Sequence, residues 1–153
     1  MRLLGFILLF LFGIFFSTPF KLVEATKTNH AAGRMESGTS TVFLFKMVAK
    51  KASDKLQFQD LWIGVKYYPV KATHQKPDNS ISTDFEKNDT IYFQAIERYL
   101  PDESGNLVLQ KSDVQKNVPM EYEGLALIGY TFKGKKHYYV VKDIKQLPNV
   151  NHP

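Results

Sequence analysis

Residues 125–141 read LALIGYTFKGKKHYYVV, and this stretch decides the fold class. Two aromatic and aliphatic runs, 125–132 and 137–141, flank Lys133-Gly134-Lys135-Lys136, which is the composition of a β-hairpin. With Gly134-Lys135 as the turn, Phe132 faces His137, Tyr130 faces Tyr139 and Ile128 faces Val141, so one face is an apolar stripe. A turn on Lys133-Gly134 shifts those pairs by one, and the sequence leaves both registers open.

Working outward, the same vocabulary recurs. Residues 41–48 (TVFLFKMV) are β-branched and aromatic and too short for a convincing isolated helix. After a Lys-rich turn at 49–54, Leu56, Phe58 and Trp62 alternate with polar positions as far as Gly64. Gly64-Val65 suits a type II′ hairpin turn, where glycine takes the positive φ at the first central position. Residues 66–71 return from it, with Pro69 confining them to an edge or a bulge. Residues 73–88 are polar and rich in turn formers, the longest candidate surface loop. Residues 89–96 (DTIYFQAI) resume a strand, 101–106 (PDESGN) form a turn, and 107–109 are a short strand. Residues 112–116 have room for one helical turn.

Seven or so short strands with turns between them predict a mainly β domain, either an antiparallel immunoglobulin-like β-sandwich or a small barrel. The position of Trp62 and the hairpin order loosely resemble immunoglobulin-like domains of bacterial envelope proteins. The cysteine pair that would make the comparison specific is missing, since the chain has no cysteine.

The N-terminus is different in kind. Arg2 is followed by an unbroken apolar run, residues 3–16, and then by Ser17-Thr18-Pro19. This predicts a hydrophobic helix over the first residues, and residues 1–25 read as a signal peptide or a membrane anchor. Val23 and Ala25 supply the small-x-small pair for cleavage before Thr26. Residues 3–20 instead sit at the short edge of the length needed to span a bilayer as a retained anchor. Either reading places the rest of the chain outside the cytoplasm, in a bacterial periplasm or on the outer face of a membrane. Residues 26–40 are polar and predict a flexible linker, and 41–150 a β-rich domain.

Composition narrows the function. The absence of cysteine removes disulfides and thiolate chemistry. The formal charge is +5, and leaving out Arg2, Lys21 and Glu24 with the targeting segment gives 18 basic against 14 acidic residues. Of the twenty basic residues only Arg2, Arg34 and Arg98 are arginine, which argues against nucleic-acid recognition. No nucleotide-binding glycine motif and no Gly-x-Ser-x-Gly occurs. His74, His137 and His152 lack the local spacing of metal ligands. Asp84, Glu86, Asn88 and Asp89 crowd four oxygen donors into one loop without an EF-hand pattern. Glu121 and Glu123 are about 7 Å apart on an extended segment, a spacing compatible with glycosidase chemistry but common on surfaces.

The sequence therefore predicts no catalytic residue, no metal and no cofactor. The candidate binding surface is the C-terminal hairpin: Tyr130, Lys133, Lys135, Lys136, Tyr138 and Tyr139, a basic tip with tyrosines. The expected role is non-catalytic protein binding or scaffolding in the cell envelope. The alternatives are an anionic-ligand module for lipid headgroups or polysaccharide, acting through that hairpin, and an unrecognised hydrolase. Expected partners are the membrane, through an uncleaved N-terminus, and an envelope protein.

Overall fold

The computed structural model describes residues 17–31, 38–110 and 114–151. These residues form twelve strands and two sheets. The long strands are β1 (Phe20–Ala31), β2 (Thr39–Ala49), β3 (Leu56–Ile63), β7 (Thr90–Pro101), β9 (Ala126–Phe132) and β10 (Lys135–Val141). Shorter ones are β4 (Lys66–Pro69), β5 (Thr73–Gln75), β6 (Ile81–Ser82), β8 (Leu107–Leu109), β11 (Lys145–Gln146) and β12 (Val150–Asn151). The first sheet runs β11-β1-β2-β7-β5-β6, with β12 on β1 and β8 on β7; the second runs β10-β9-β3-β4. The sheets stay separate instead of closing into the barrel that the sequence also allowed.

Period-two alternation explains the packing. On β7 the residues Ile91, Phe93 and Ala95 are buried while Gln94 and Ile96 face out, and on β2 Phe43, Phe45 and Met47 do the same. They meet Leu56, Phe58, Leu61, Ile128 and Tyr130 of the second sheet in one buried cluster. Phe20 sits at its centre, fully buried, with its ring edge-on to Phe58, Tyr130 and Tyr139 at 5.0–5.2 Å.

Two expectations concern the N-terminal region, and the structure bears on one of them. The hydrophobic helix falls on residues 1–16, outside the described residues, and no helix among the described residues is long and apolar enough to cross a membrane. The flexible linker expected at 26–40 is corrected at both ends. Thr26–Ala31 complete β1, Thr39 and Ser40 open β2, and residues 32–37 lie outside the described residues. The polar composition misled because a strand flanked on both sides needs backbone pairing more than apolar side chains. β1 pairs antiparallel with β2 from Phe20↔Ala49 to Ala31↔Thr39, and parallel with β11 and β12 on its other edge. The polar loop at 73–88 is also more ordered than expected: it carries β5 and β6, and Phe85 reaches the core.

The turns follow their residues. Gly64 (φ +59°) and Val65 join β3 to β4 with Ile63 opposite Lys66, as type II′ geometry requires. Gly38 (φ +66°) enters β2 so close to β7 that an added Cβ would lie 2.0 Å from the Tyr99 carbonyl oxygen. Gly38→Ala combines that overlap with a backbone conformation that costs about 1–2 kcal/mol without glycine. We expect it to lower the urea midpoint by at least that equivalent; an unchanged midpoint would show that β2 does not need this close approach.

Candidate functional site

The outer face of the second sheet is where polar chemistry gathers. A bulge at Gln59 lets Phe58 and Leu61 both face the core and turns Asp60 and Trp62 to the opposite side. Gly129 on β9 makes room for them, since a Cβ there would stand 3.0 Å from Asp60 Cβ and 3.3 Å from Trp62 Cζ3. Residues 114–124 cross over this face. Trp62 Nε1 donates to the Lys116 carbonyl at 3.0 Å, and Trp62, Tyr67 and Leu127 form a second apolar cluster under Val118, Tyr122 and Val140.

Asp60 is 2% exposed and is the polar anchor of this layer. Its Oδ1 accepts from Tyr67 Oη at 2.8 Å and Lys116 Nζ at 2.9 Å, and its Oδ2 accepts from Lys136 Nζ. Burial alone would raise the carboxyl pKa, but the hydrogen bonds from Lys136, Lys116 and Tyr67 outweigh it and hold Asp60 below the usual carboxylate range. Burial, and after it the same contact with Asp60, pushes the Tyr67 phenol up to about 12. A second polar knot lies between the sheets. Glu97 continues the inward positions of β7 beyond Ala95, and it accepts from Tyr68 Oη at 2.7 Å, Lys66 Nζ at 3.0 Å and Tyr99 Oη at 3.3 Å. Burial and the Glu97 carboxylate raise the Tyr68 pKa, and Lys66 is raised by Glu97 and Tyr99 against the opposing effect of burial. Both knots are internally satisfied, so they fix geometry rather than wait for a substrate.

Among the concavities of the described residues is a cleft of about 820 Å³ where the β3–β4 turn meets residues 118–124. Tyr122 Oη donates to the Gly64 carbonyl at 2.7 Å and pins one wall. Val65 is 83% exposed on one side and Met120 is 45% exposed on the other, with the exposed carboxylates of Glu121 and Glu123 alongside. Exposed apolar side chains on both sides of a concavity can contact an apolar partner segment.

The hairpin predicted as a binding surface is split by the fold. Its turn is Lys133-Gly134, with φ of +49° and +76°, so Tyr130 pairs with His137 and Ile128 with Tyr139. Tyr130 is a core residue, stacked on His137 at 5.5 Å, and Tyr139 packs against Phe20. Both leave the candidate surface, because the aromatic stripe is the inward face. Lys136 is committed to Asp60, Tyr138 lies beside Trp62, and Lys133 and Lys135 remain exposed at the tip.

In the acidic loop at 84–89 the engaged carboxylate is that of Asp89. Asp89 Oδ2 accepts the Glu86 N–H at 2.8 Å and lies 3.5 Å from His74 Nε2. Among the described residues no three His, Asp or Glu side chains converge as a metal site requires. His152 lies outside the described residues. Asp60, Glu97 and Lys116 were not singled out from the sequence. The available signal was an acid placed inside an apolar strand, as in 56–63 (LQFQDLWI), where it needs a partner to be tolerated.

No family model matches this chain, and no curated protein or solved structure matches it.

Proposed function

We propose that this chain is an extracytoplasmic, immunoglobulin-like domain that binds a protein partner and performs no chemistry of its own. The immunoglobulin-like assignment is supported by strand order. Taking β1, β2, β7 and β5 as strands A, B, E and D, and β10, β9, β3 and β4 as G, F, C and C′, the two sheets follow ABED and GFCC′. One departure is that Trp62, on strand C, packs on the outer face under residues 114–124 instead of in the inter-sheet core.

The observation that carries the binding assignment is the open cleft beside Val65 and Met120. Its apolar walls and the Glu121 and Glu123 carboxylates suit a partner segment that pairs apolar side chains with lysine or arginine. The buried carboxylates of Asp60 and Glu97 are hydrogen-bonded within the fold and neither lines this cleft, which supports a binding role over a hydrolytic one.

Selection of a displayed random-peptide library against the immobilised chain tests this. Enriched peptides should combine apolar and basic residues. Val65→Asp with Met120→Asp should weaken them about tenfold or more, or about 1.4 kcal/mol, without moving the unfolding midpoint. Peptides that bind the double variant as well as the parent would refute the assignment.

A further inference from the structure

The domain is electrically polarised along its strands, and its basic end is the end at which the N-terminal apolar run enters. Backbone hydrogen bonds tie that end together. Lys50 N–H donates to the Pro19 carbonyl, Ala49 N–H to Asp89, Asn88 N–H to Ala49 and Lys133 N–H to Lys55, all at 2.7–2.9 Å. The start of β1, the β2–β3 turn, the loop before β7 and the β9–β10 tip are thus neighbours. They bring together the exposed lysines Lys21, Lys50, Lys51, Lys55, Lys87, Lys133 and Lys135, with Lys76 in the neighbouring β5–β6 turn, against Asp54, Asp78, Asp84, Glu86 and Asp89. Asp89 is already engaged by the Glu86 N–H.

At the far ends of the strands the balance reverses. Asp102 and Glu103 turn β7 into β8, Glu121 and Glu123 border the cleft, and Asp143 follows β10. Lys142 and, near the end of β7, Arg98 are exposed cations beside them, while Lys66 is held by Glu97. β7 alone, at roughly 3.3 Å per residue, separates the two ends by about 35 Å.

Pro19 is bonded into the fold, so only residues 17–19 stand between the apolar run ending at Phe16 and the first core residue, Phe20. Three residues reach at most about 10 Å. That is close to one Debye length at physiological salt, so lysines at this end would feel a charged surface next to the run.

We propose that this lysine-rich end is a membrane-contact surface that docks on anionic lipid headgroups. It orients the domain so that the acidic end and the Val65–Met120 cleft point away from the bilayer. The proposal rests on the N-terminal run being a retained anchor and is independent of what the cleft binds. Clustered lysines beside a membrane-inserted segment are attracted by the negative surface potential of anionic lipid.

The chain has no cysteine, so single labels are available. The full-length chain is labelled with an environment-sensitive fluorophore at Lys51→Cys or at Glu103→Cys. It is then reconstituted into vesicles of phosphatidylcholine alone or mixed with phosphatidylglycerol, with a quencher on the lipid headgroups. Flotation with phosphatidylcholine vesicles reports the anchor. Quenching of the label at 51 should be several-fold stronger in the anionic mixture and fall toward the phosphatidylcholine level at high salt, while the label at 103 stays unquenched in both. Adding Lys50→Glu, Lys55→Glu and Lys133→Glu should abolish the lipid dependence at 51 while leaving Trp62 fluorescence and flotation unchanged. Equal quenching at 51 in the two lipids, quenching at 103 as strong as at 51, or failure of the chain to float would each overturn the proposal.

Discussion

Phe20→Ala should destabilise the domain by about 3–5 kcal/mol, the range for truncating a fully buried aromatic side chain. Against a total stability of about 5–15 kcal/mol this is a large fraction. Phe20 is fully buried and touches three aromatic rings from three strands of the other sheet, so no single neighbour can relax into the space. Guanidinium unfolding of the detergent-solubilised chain, followed by the fluorescence of Trp62, measures it. Val23→Ala is the control: Val23 lies at the β1 bulge, 49% exposed, and should shift stability by no more than about 0.5 kcal/mol. A Phe20→Ala variant as stable as this control would remove β1 from the core. The same packing bears on processing. Cleavage before Thr26 would divide β1 and take away Phe20 and Leu22 together with their pairing to β2. A chain beginning at Thr26 should therefore fail to unfold cooperatively, which argues against that cleavage position.

Residue pattern and tertiary context contributed unequally to what could be read beforehand. Strands whose apolar positions alternate, such as residues 41–48 and 89–96, were legible because burial on one face writes itself into the sequence with period two. The hairpin at 125–141 was legible as an element but not in register. Its turn uses a lysine at positive φ, which local preference disfavours, and sliding between the two candidate turns leaves the same residues on the same face. Which face turns inward is a tertiary fact. That is why Tyr130 and Tyr139, read as a ligand surface, belong to the core. β1 was misread for the opposite reason: Thr26–Ala31 hold their place through backbone pairing to β2, β11 and β12, and such pairing leaves little trace in side-chain composition. The polar knots around Asp60 and Glu97 join residues distant in sequence, with Lys136 and Asp60 76 positions apart, so no local motif announces them.

Removing the lysines around Asp60 should reverse the sign of its contribution to stability against pH. In the parent, Asp60 titrates below the unfolded value of about 3.9, because the Lys136, Lys116 and Tyr67 hydrogen bonds overcome burial. A carboxyl with a depressed folded pKa contributes stability that is fully present above the unfolded pKa and is lost as pH falls through the folded one. The parent should therefore owe no acid sensitivity to Asp60 between neutral pH and about 4, and should weaken only below that. In Lys116→Ala with Lys136→Ala, the carboxylate stays under the Trp62–Tyr67 layer and retains only the phenol of Tyr67 as a charge-stabilising partner. Stranding a buried charge costs about 3–5 kcal/mol. We place the double variant toward the lower figure, because the lysines are themselves 52% and 37% exposed and the attraction they supply is partly screened. With burial now dominant, the folded carboxyl rises above its unfolded value, so protonation favours the folded state and the double variant should gain stability as pH is lowered from neutral toward about 4. Asp60→Asn removes the charge but leaves Tyr67 an acceptor and lets both lysines turn to solvent, so it should cost only about 1 kcal/mol and flatten the profile. Urea unfolding of the three variants across this pH range separates the cases, and a double variant that loses stability in parallel with the parent on acidification would show that Asp60 is not the buried charge on which this layer depends.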